Sequence, residues 1–407
     1  MRVLYYLISS KPVNGFTSSK KSNRRTYVAP GNLNQRRATF QSAMKLTIII
    51  GQCFGLNPVL VTVSLLFCHL FTPFLVFYGL NFVTIVLFFR IAAKWPQLCQ
   101  IISITEAADP SEDLGLIRKC NLSCVLVLVL AIIEHVLSDL SGAAAALDCH
   151  PESRYESFIK NSYPWVFVFL PYEHVIGFST QILNIQCTFN WNYADLFVIC
   201  ISFYLTSRLE QVNQKVTAVK GQMVPPSHWR AIREEYNRAA SLVRRVDDVI
   251  SGVIFISYAN NLFFICLQLL HTLADGIKAT PSCRIGEMDL RPLKGYEQPL
   301  YFVYSFIFLV MRSLTVSLIA ARVHTSSKKP AFALYDIPST AYCVEIQRFL
   351  DQIHGETVAL SGLQFFNIKR GLVLAIAGTI VTYELVLLQF TGVTPTSPPP
   401  TILSRTI

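Results

Sequence analysis

Gly371-Leu-Val-Leu-Ala-Ile-Ala-Gly-Thr-Ile-Val-Thr-Tyr-Glu-Leu-Val-Leu-Leu-Gln-Phe390 carries a single charge, Glu384. A helix rising about 1.5 Å per residue makes this stretch as long as the ~30 Å hydrocarbon core of a bilayer. It reads as a membrane span. Seven more apolar blocks precede it, at about 46–68, 70–93, 121–147, 163–189, 193–209, 248–273 and 300–321. The fold class that follows is an all-α, polytopic membrane protein.

Composition agrees. The chain has 407 residues, 52% hydrophobic and 15% charged, with a mean hydropathy of +0.43. Soluble domains carry roughly 25% charged residues, so a water-soluble enzyme, a collagen or a disordered tail protein is excluded. The net charge of +10 does not point to nucleic acid, because the excess flanks the apolar blocks, where it sets orientation or meets anionic lipid. The eleven cysteines form no CxxC pair and no Cys/His cluster with metal-ligand spacing. No cofactor is expected.

Short cytoplasmic loops are enriched in Lys and Arg. The arm at 1–45 is basic (Lys20, Lys21, Arg24, Arg25, Arg36, Arg37), as are 208–247 and 322–370. These face inward, whereas the balanced segments 141–162 and 274–299 face outward. With an inner loop over 94–120, the stretch 163–215 must make one net crossing. It reads as a long fourth helix broken near Pro171, with a re-entrant segment as the alternative. The result is seven transmembrane helices within a 46–390 domain, amino end cytoplasmic and carboxyl end extracellular, followed by a Pro-rich tail at 391–407. Cys149 and Cys283 fall in the two outer loops, where an oxidising exterior leaves a disulfide between them open.

On the last span, Gly371, Ala375, Gly378, Thr382, Val386 and Gln389 share one small, polar face at about 100° per residue. Such a face serves either close helix packing or the lining of an aqueous path. A second pattern is a convergence of polar and aromatic residues toward the outer halves of several spans: Glu134 and His135; Tyr172, Glu173 and His174; Asn260, Asn261 and Gln268; Tyr301 and Tyr304. Buried polar groups need partners in a low-dielectric setting. An aromatic-walled cavity with a few of them suits a sugar, whose hydroxyls take directional hydrogen bonds while its C–H faces pack on rings. The blander roles are interfacial anchoring for the tyrosines and interhelical hydrogen bonding for the asparagines. Glu134, Glu173 and Glu384 are the intramembrane carboxylates of this reading. Inside, Trp229–Asp248 and Tyr342–Ile353 keep amphipathic 3–4 spacing. They are placed to pack together beneath the membrane or to lie along its interface.

Thr382-Tyr383, five residues, then Gln389-Phe390 resembles the TYhhhhhQF motif of insect gustatory receptors. Glu356–Phe366, Ala377–Leu388, Glu134-His135, Phe189–Phe197, Trp229–Asp247 and Ser257–Cys266 look like the sugar-receptor clade in particular. The resemblance covers about 90–390; residues 1–40 depart from it, and Pro58–Trp95 is compressed where the family has a longer first outer loop. It implies a ligand-gated, non-selective cation channel in the plasma membrane of taste-neuron dendrites and axons. Four subunits, alike or related, would surround a pore lined by the seventh helix, and sugar would bind in an outer pocket. It further implies Thr382, Val386 and Gln389 at or near the pore, with Tyr383 and Phe390 packed behind. Glu134, His135, Tyr172, Glu173, Asn260, Gln268, Tyr301 and Tyr304 are the candidate ligand contacts. The alternatives are a seven-span receptor coupled to a G protein and a sugar transporter. The first would place the amino end outside, and the second calls for internal repeats.

Overall fold

The computed structural model describes residues 72–110, 113, 115–149, 153–219, 221–275, 278–279 and 291–391. The amino-terminal arm, the 46–68 block, Cys283 and the tail after Thr391 lie outside these. Six long helices dominate the rest: α1 (Thr72–Ala108), α2 (Gly115–Cys149), α5 (His174–Ala218), α6 (Pro226–Asp275), α7 (Glu297–Tyr335) and α9 (Arg370–Thr391). Shorter ones are α3 (Arg154–Ser162), α4 (Pro164–Phe167) and α8 (Val344–Gly355). β1 (Ser361–Gly362) pairs antiparallel with β2 (Phe366–Asn367) between α8 and α9.

α1, α2, α6 and α7 contain spans long and apolar enough to cross a membrane; the described part of α9, Arg370–Thr382, is a shorter apolar helix. Leu122, Val125, Leu126, Val129, Ile132, Ile133, Val136 and Leu140 form an exposed apolar stripe on α2. That stripe is unfavourable in water and suited to lipid. α5 is different. Its run Tyr193–Ile201 is buried throughout, and it packs most extensively against α7. A helix enclosed by other helices need not be lipid-compatible on any face, so it can carry polar residues within the bundle.

The inner loop expected over 94–120 is corrected to a short connector. α1 continues through Pro96 to Ala108, and α2 starts at Gly115. An internal proline costs a helix one hydrogen bond, but here Trp95, Leu98 and Ile102 bury themselves in the core. Tertiary packing outweighs the local penalty. The fourth helix also starts later than 163: the chain is non-helical at Pro171–Glu173, after α3 and α4, and α5 begins at His174.

The carboxyl ends of α5 and α7 and the amino-terminal part of α6 pack together, and α8 packs against α6 and α7. Tyr236 and Phe349 meet at 5.2 Å between ring centroids, with Trp229, Ile232, Val243, Ile346 and Ile353 buried around them. Arg233 pairs with Glu345 at 3.1 Å and Lys215 with Glu235 at 2.6 Å. The two amphipathic stretches therefore pack on each other, and their apolar stripes are not free to lie on a membrane surface. Arg238 grips Asp109 with two hydrogen bonds of 2.7 and 2.8 Å, tying α6 to the end of α1. Lys328 Nζ donates to the carbonyls of Ile353 and Glu356 at the end of α8, where a cation also complements the helix dipole.

Candidate functional site: a polar cluster between four helices

Within the bundle, α5 supplies Trp191, Asn192 and Asp195, α6 supplies Ser257 and Asn261, and α7 supplies Arg312. Positions 191, 192 and 195 fall within one turn of α5, and 257 and 261 are one turn apart on α6, so each set shares a face. Asp195 and Arg312 are almost wholly buried and form an ion pair at 2.9 Å. Ser257 Oγ donates to Asp195, and Arg312 donates to Asn192 Oδ1. Asn261 is shared: its Nδ2 donates to Asp195 Oδ2 at 3.1 Å, while its Oδ1 accepts from Trp191 Nε1 at 2.9 Å and from Arg312 Nη2 at 3.3 Å. The guanidinium lies 4.7 Å from the Trp191 ring centre and 5.2 Å from that of Phe308. Buried charges persist only when paired and hydrogen-bonded; here Asp195 and Arg312 pair with each other, Ser257, Asn261 and Asn192 supply hydrogen bonds, and Arg312 Nε makes its ion-pair contact without a hydrogen bond.

A second set adjoins it. Ser305 of α7 donates to Glu134 Oε1 of α2 at 2.5 Å and accepts from Gln268 Nε2 of α6 at 3.2 Å. Tyr301 lies against Glu134 and Ser305, and the Tyr304 hydroxyl donates to the Leu130 carbonyl at 3.0 Å. Glu134 is also within electrostatic reach of Arg312. One polar region thus joins four helices, flanked by Trp191, Phe264 and Phe77, with Trp191 and Phe264 4.9 Å apart.

Of the expected ligand contacts, Glu134, Gln268, Tyr301 and Tyr304 come together here. Asn260 is buried on α6 beside Asn261. His135 is 3.7 Å from Asp139, one turn along α2. Tyr172 belongs to a separate cluster near the start of α5, where its hydroxyl meets His174 Nδ1 at 3.1 Å and its ring packs on Phe167. Glu173 is exposed at the α5 cap position rather than within a span. Buried polar atoms without a hydrogen-bond partner among the described residues include Gln268 Oε1, Asn260 Oδ1 and His135 Nε2 of the expected contacts and Arg312 Nε of the cluster. Such atoms are costly unless water or a ligand satisfies them.

Asp195, Arg312, Asn192, Ser257, Trp191 and Ser305 were not singled out from sequence. The available signal was a carboxylate in the 193–209 block and an arginine in the 300–321 block, since intramembrane charges are functional candidates by default. Among the described residues no group of His, Cys, Asp or Glu is arranged to hold a metal.

On α9, Thr382 is exposed and its hydroxyl donates to the Gly378 carbonyl at 2.9 Å. Thr379 does the same to Ala375. Gly371, Ala375 and Gly378 are exposed in the single chain. The side chains of Tyr383, Glu384, Val386, Gln389, Phe390 and Cys149 lie outside the described residues.

A family model described as "Trehalose receptor" matches residues 61–396. Among individual relatives, the Drosophila melanogaster gustatory receptor for sugar taste 64a is 32% identical over 355 residues, covering 81% of this chain and 74% of its own length. The gustatory receptor 5a for trehalose, also from Drosophila melanogaster, is 32% identical over 308 residues, covering 74% of this chain and 66% of that receptor. In structure, the insect olfactory receptor OR5 from Machilis hrabei aligns with a TM-score of 0.54 at 14% identity, over 88% of this chain and 92% of that one. At that identity the likeness is one of fold. These relatives are receptors, not enzymes. With its apolar helices and a family match over most of its length, the chain belongs to the insect gustatory receptors, in the trehalose-receptor family of sugar receptors.

Proposed function

We propose that this protein is a subunit of a sugar-gated, non-selective cation channel in the plasma membrane of taste neurons. Four subunits, of this chain or with related chains, surround a pore lined by α9 through Thr382, Val386 and Gln389, with Tyr383 and Phe390 packed behind. The 46–390 domain crosses the membrane seven times, amino end inside and carboxyl end outside, and Cys149 and Cys283 face the exterior. Sugar occupies the outer side of the polar cluster, contacting Glu134, Gln268, Tyr301 and Tyr304, with Asn260 and His135 at its edge. Tyr172 and Glu173 act nearer the entrance.

The observation that carries this reading is the set of buried polar atoms without hydrogen-bond partners beside the Asp195–Arg312 ion pair. Gln268 Oε1 and Asn260 Oδ1 are acceptors held out of water, and sugar hydroxyls are donors of matching chemistry. Binding there shifts a closed-to-open equilibrium by its differential affinity for the two states.

The test is heterologous expression under voltage clamp with trehalose, sucrose, glucose and fructose, G-protein signalling blocked. A rapid sugar-evoked cation current, altered by Gln389→Ala, is expected. Gln268→Leu should raise the half-maximal concentration about 2- to 12-fold, the value of one ordinary hydrogen bond. A second-messenger rise without current would refute the channel. An amino-terminal tag accessible from outside would refute the topology.

A further inference from the structure

The polar cluster and α9 meet through one small element. Along α6, Ser257 and Asn261 face Asp195 and Arg312. On the adjoining face of the same turns, Phe255 and Tyr258 carry the hairpin: the Tyr258 and Phe366 rings are 5.5 Å apart, Phe255 and Phe365 5.7 Å. Ser257 and Tyr258 are consecutive, so any shift of α6 that follows a change in the cluster is delivered directly to the hairpin.

The hairpin is built to pass that shift on. Three residues, Leu363–Phe365, connect the strands; Phe365 N donates to the Gly362 carbonyl at 3.0 Å across a tight turn whose central residues Leu363 and Gln364 hold positive φ, 49° and 62°. A Cβ on Gly362 would stand 2.3 Å from the Phe366 ring, so the ring is seated directly on the opposite strand. Ile368 N donates to the Leu360 carbonyl at 2.8 Å, closing the base, and α9 begins two residues later. Further toward the amino end of α6, Asp247 fastens β1 with both oxygens. Its Oδ1 accepts the Ser361 backbone N–H at 2.7 Å and its Oδ2 accepts the Ser361 hydroxyl at 2.6 Å; both residues are buried. α6 thus holds the hairpin at two levels, by a charged latch below and aromatic contact above.

We propose that Asp247 and Ser361 are positioning residues for gating, which make the β1–β2 hairpin the link through which the helix bearing Ser257 and Asn261 sets the position of α9. This rests on the channel reading above.

The test is a double-mutant cycle on Ser361→Ala and Asp247→Ala, using the panel sugar that gives the largest wild-type current, with surface protein measured in parallel. Each single variant should raise the half-maximal sugar concentration about 5- to 30-fold, the range of ordinary coupling free energies, with ion permeability ratios unchanged. The double variant should be no worse than the worse single one, because the hydroxyl contact that Ser361→Ala removes is one of the two that Asp247→Ala removes. Ser361→Thr, which keeps a hydroxyl, should stay near wild type. Unchanged sugar sensitivity in the variant channels that reach the surface would overturn the proposal, as would additive effects in the double variant. Should a variant leave no protein at the surface, sugar sensitivity of channels formed with excess wild-type chain gives the same comparison, and a wild-type response there would overturn it. A wild-type chain that binds sugar without passing current would refute the channel reading itself, which separates the two failures.

Discussion

Replacing Arg312 with leucine would leave Asp195 fully buried, with Ser257 and Asn261 as its donors. At 2.9 Å and an effective dielectric constant of about 20, the gross attraction of the pair is about 6 kcal/mol. Desolvation offsets it, at several kcal/mol for each ion. The intact pair is therefore near balance, and the asymmetry appears when one partner is removed. A carboxylate left uncompensated in the interior costs about 3–5 kcal/mol, a fifth or more of a typical folding free energy of about 5–15 kcal/mol. An uncharged interhelical hydrogen bond in a membrane averages only about 0.6 kcal/mol, so charge rather than bond count decides the outcome. Arg312→Leu should sharply reduce surface protein and lower the melting midpoint of the detergent-solubilised chain. Asp195→Leu combined with Arg312→Leu removes both charges and should recover at least half of that loss, since Glu134 keeps its bond from Ser305. A single variant as stable as wild type, or a double variant as unstable as the single, would refute the reasoning.

Other outcomes follow from the packing around α8. Phe349→Ala should destabilise by about 3–5 kcal/mol, because Phe349 is fully buried against Tyr236; a thermal melt within 1 kcal/mol (about) of wild type would contradict the α6–α8 packing. Arg238→Ala should cost about 1.5–3 kcal/mol by stranding Asp109, and Arg238→Lys should rescue it only in part, since lysine lacks the two-pronged geometry. Desolvation pushes the Glu345 carboxyl up, but Arg233 and Arg348 together outweigh it and hold the group below its usual value. A depressed carboxylate contributes stability that is present above its unfolded-state value and lost as pH falls through the folded one. Hydrogen exchange in α8 should therefore accelerate as pH drops below about 4.3, after correction for intrinsic exchange, and Arg233→Ala should remove that dependence.

Four of the spans, in α1, α2, α6 and α7, the broken start of the fourth helix and the paired amphipathic stretches were legible because each is a local pattern. Hydropathy sums over neighbours, Pro171 acts on its own backbone, and the stripe from Trp229 to Val246 repeats every three or four residues. The continuation of α1 past Pro96 was not legible, because the compensating burial of Trp95, Leu98 and Ile102 comes from distant elements. The site divides in the same way. Glu134, Gln268, Tyr301 and Tyr304 could be gathered by depth alone. Asp195 and Arg312 are 117 positions apart in sequence (312 minus 195), and nothing in either segment names the other.

The amino-acid sequence by itself determined that this chain is built of apolar helices suited to a membrane and which receptor family it resembles. Both depend on composition or short motifs that survive without knowledge of contacts. Only the tertiary structure decided which helix is enclosed, which charges neutralise each other, and that the Asp247–Ser361 contact ties α6 to the hairpin before α9. The physical reason is that burying a charge is tolerable only beside its partner, and partnership between helices is a property of packing rather than of order along the chain.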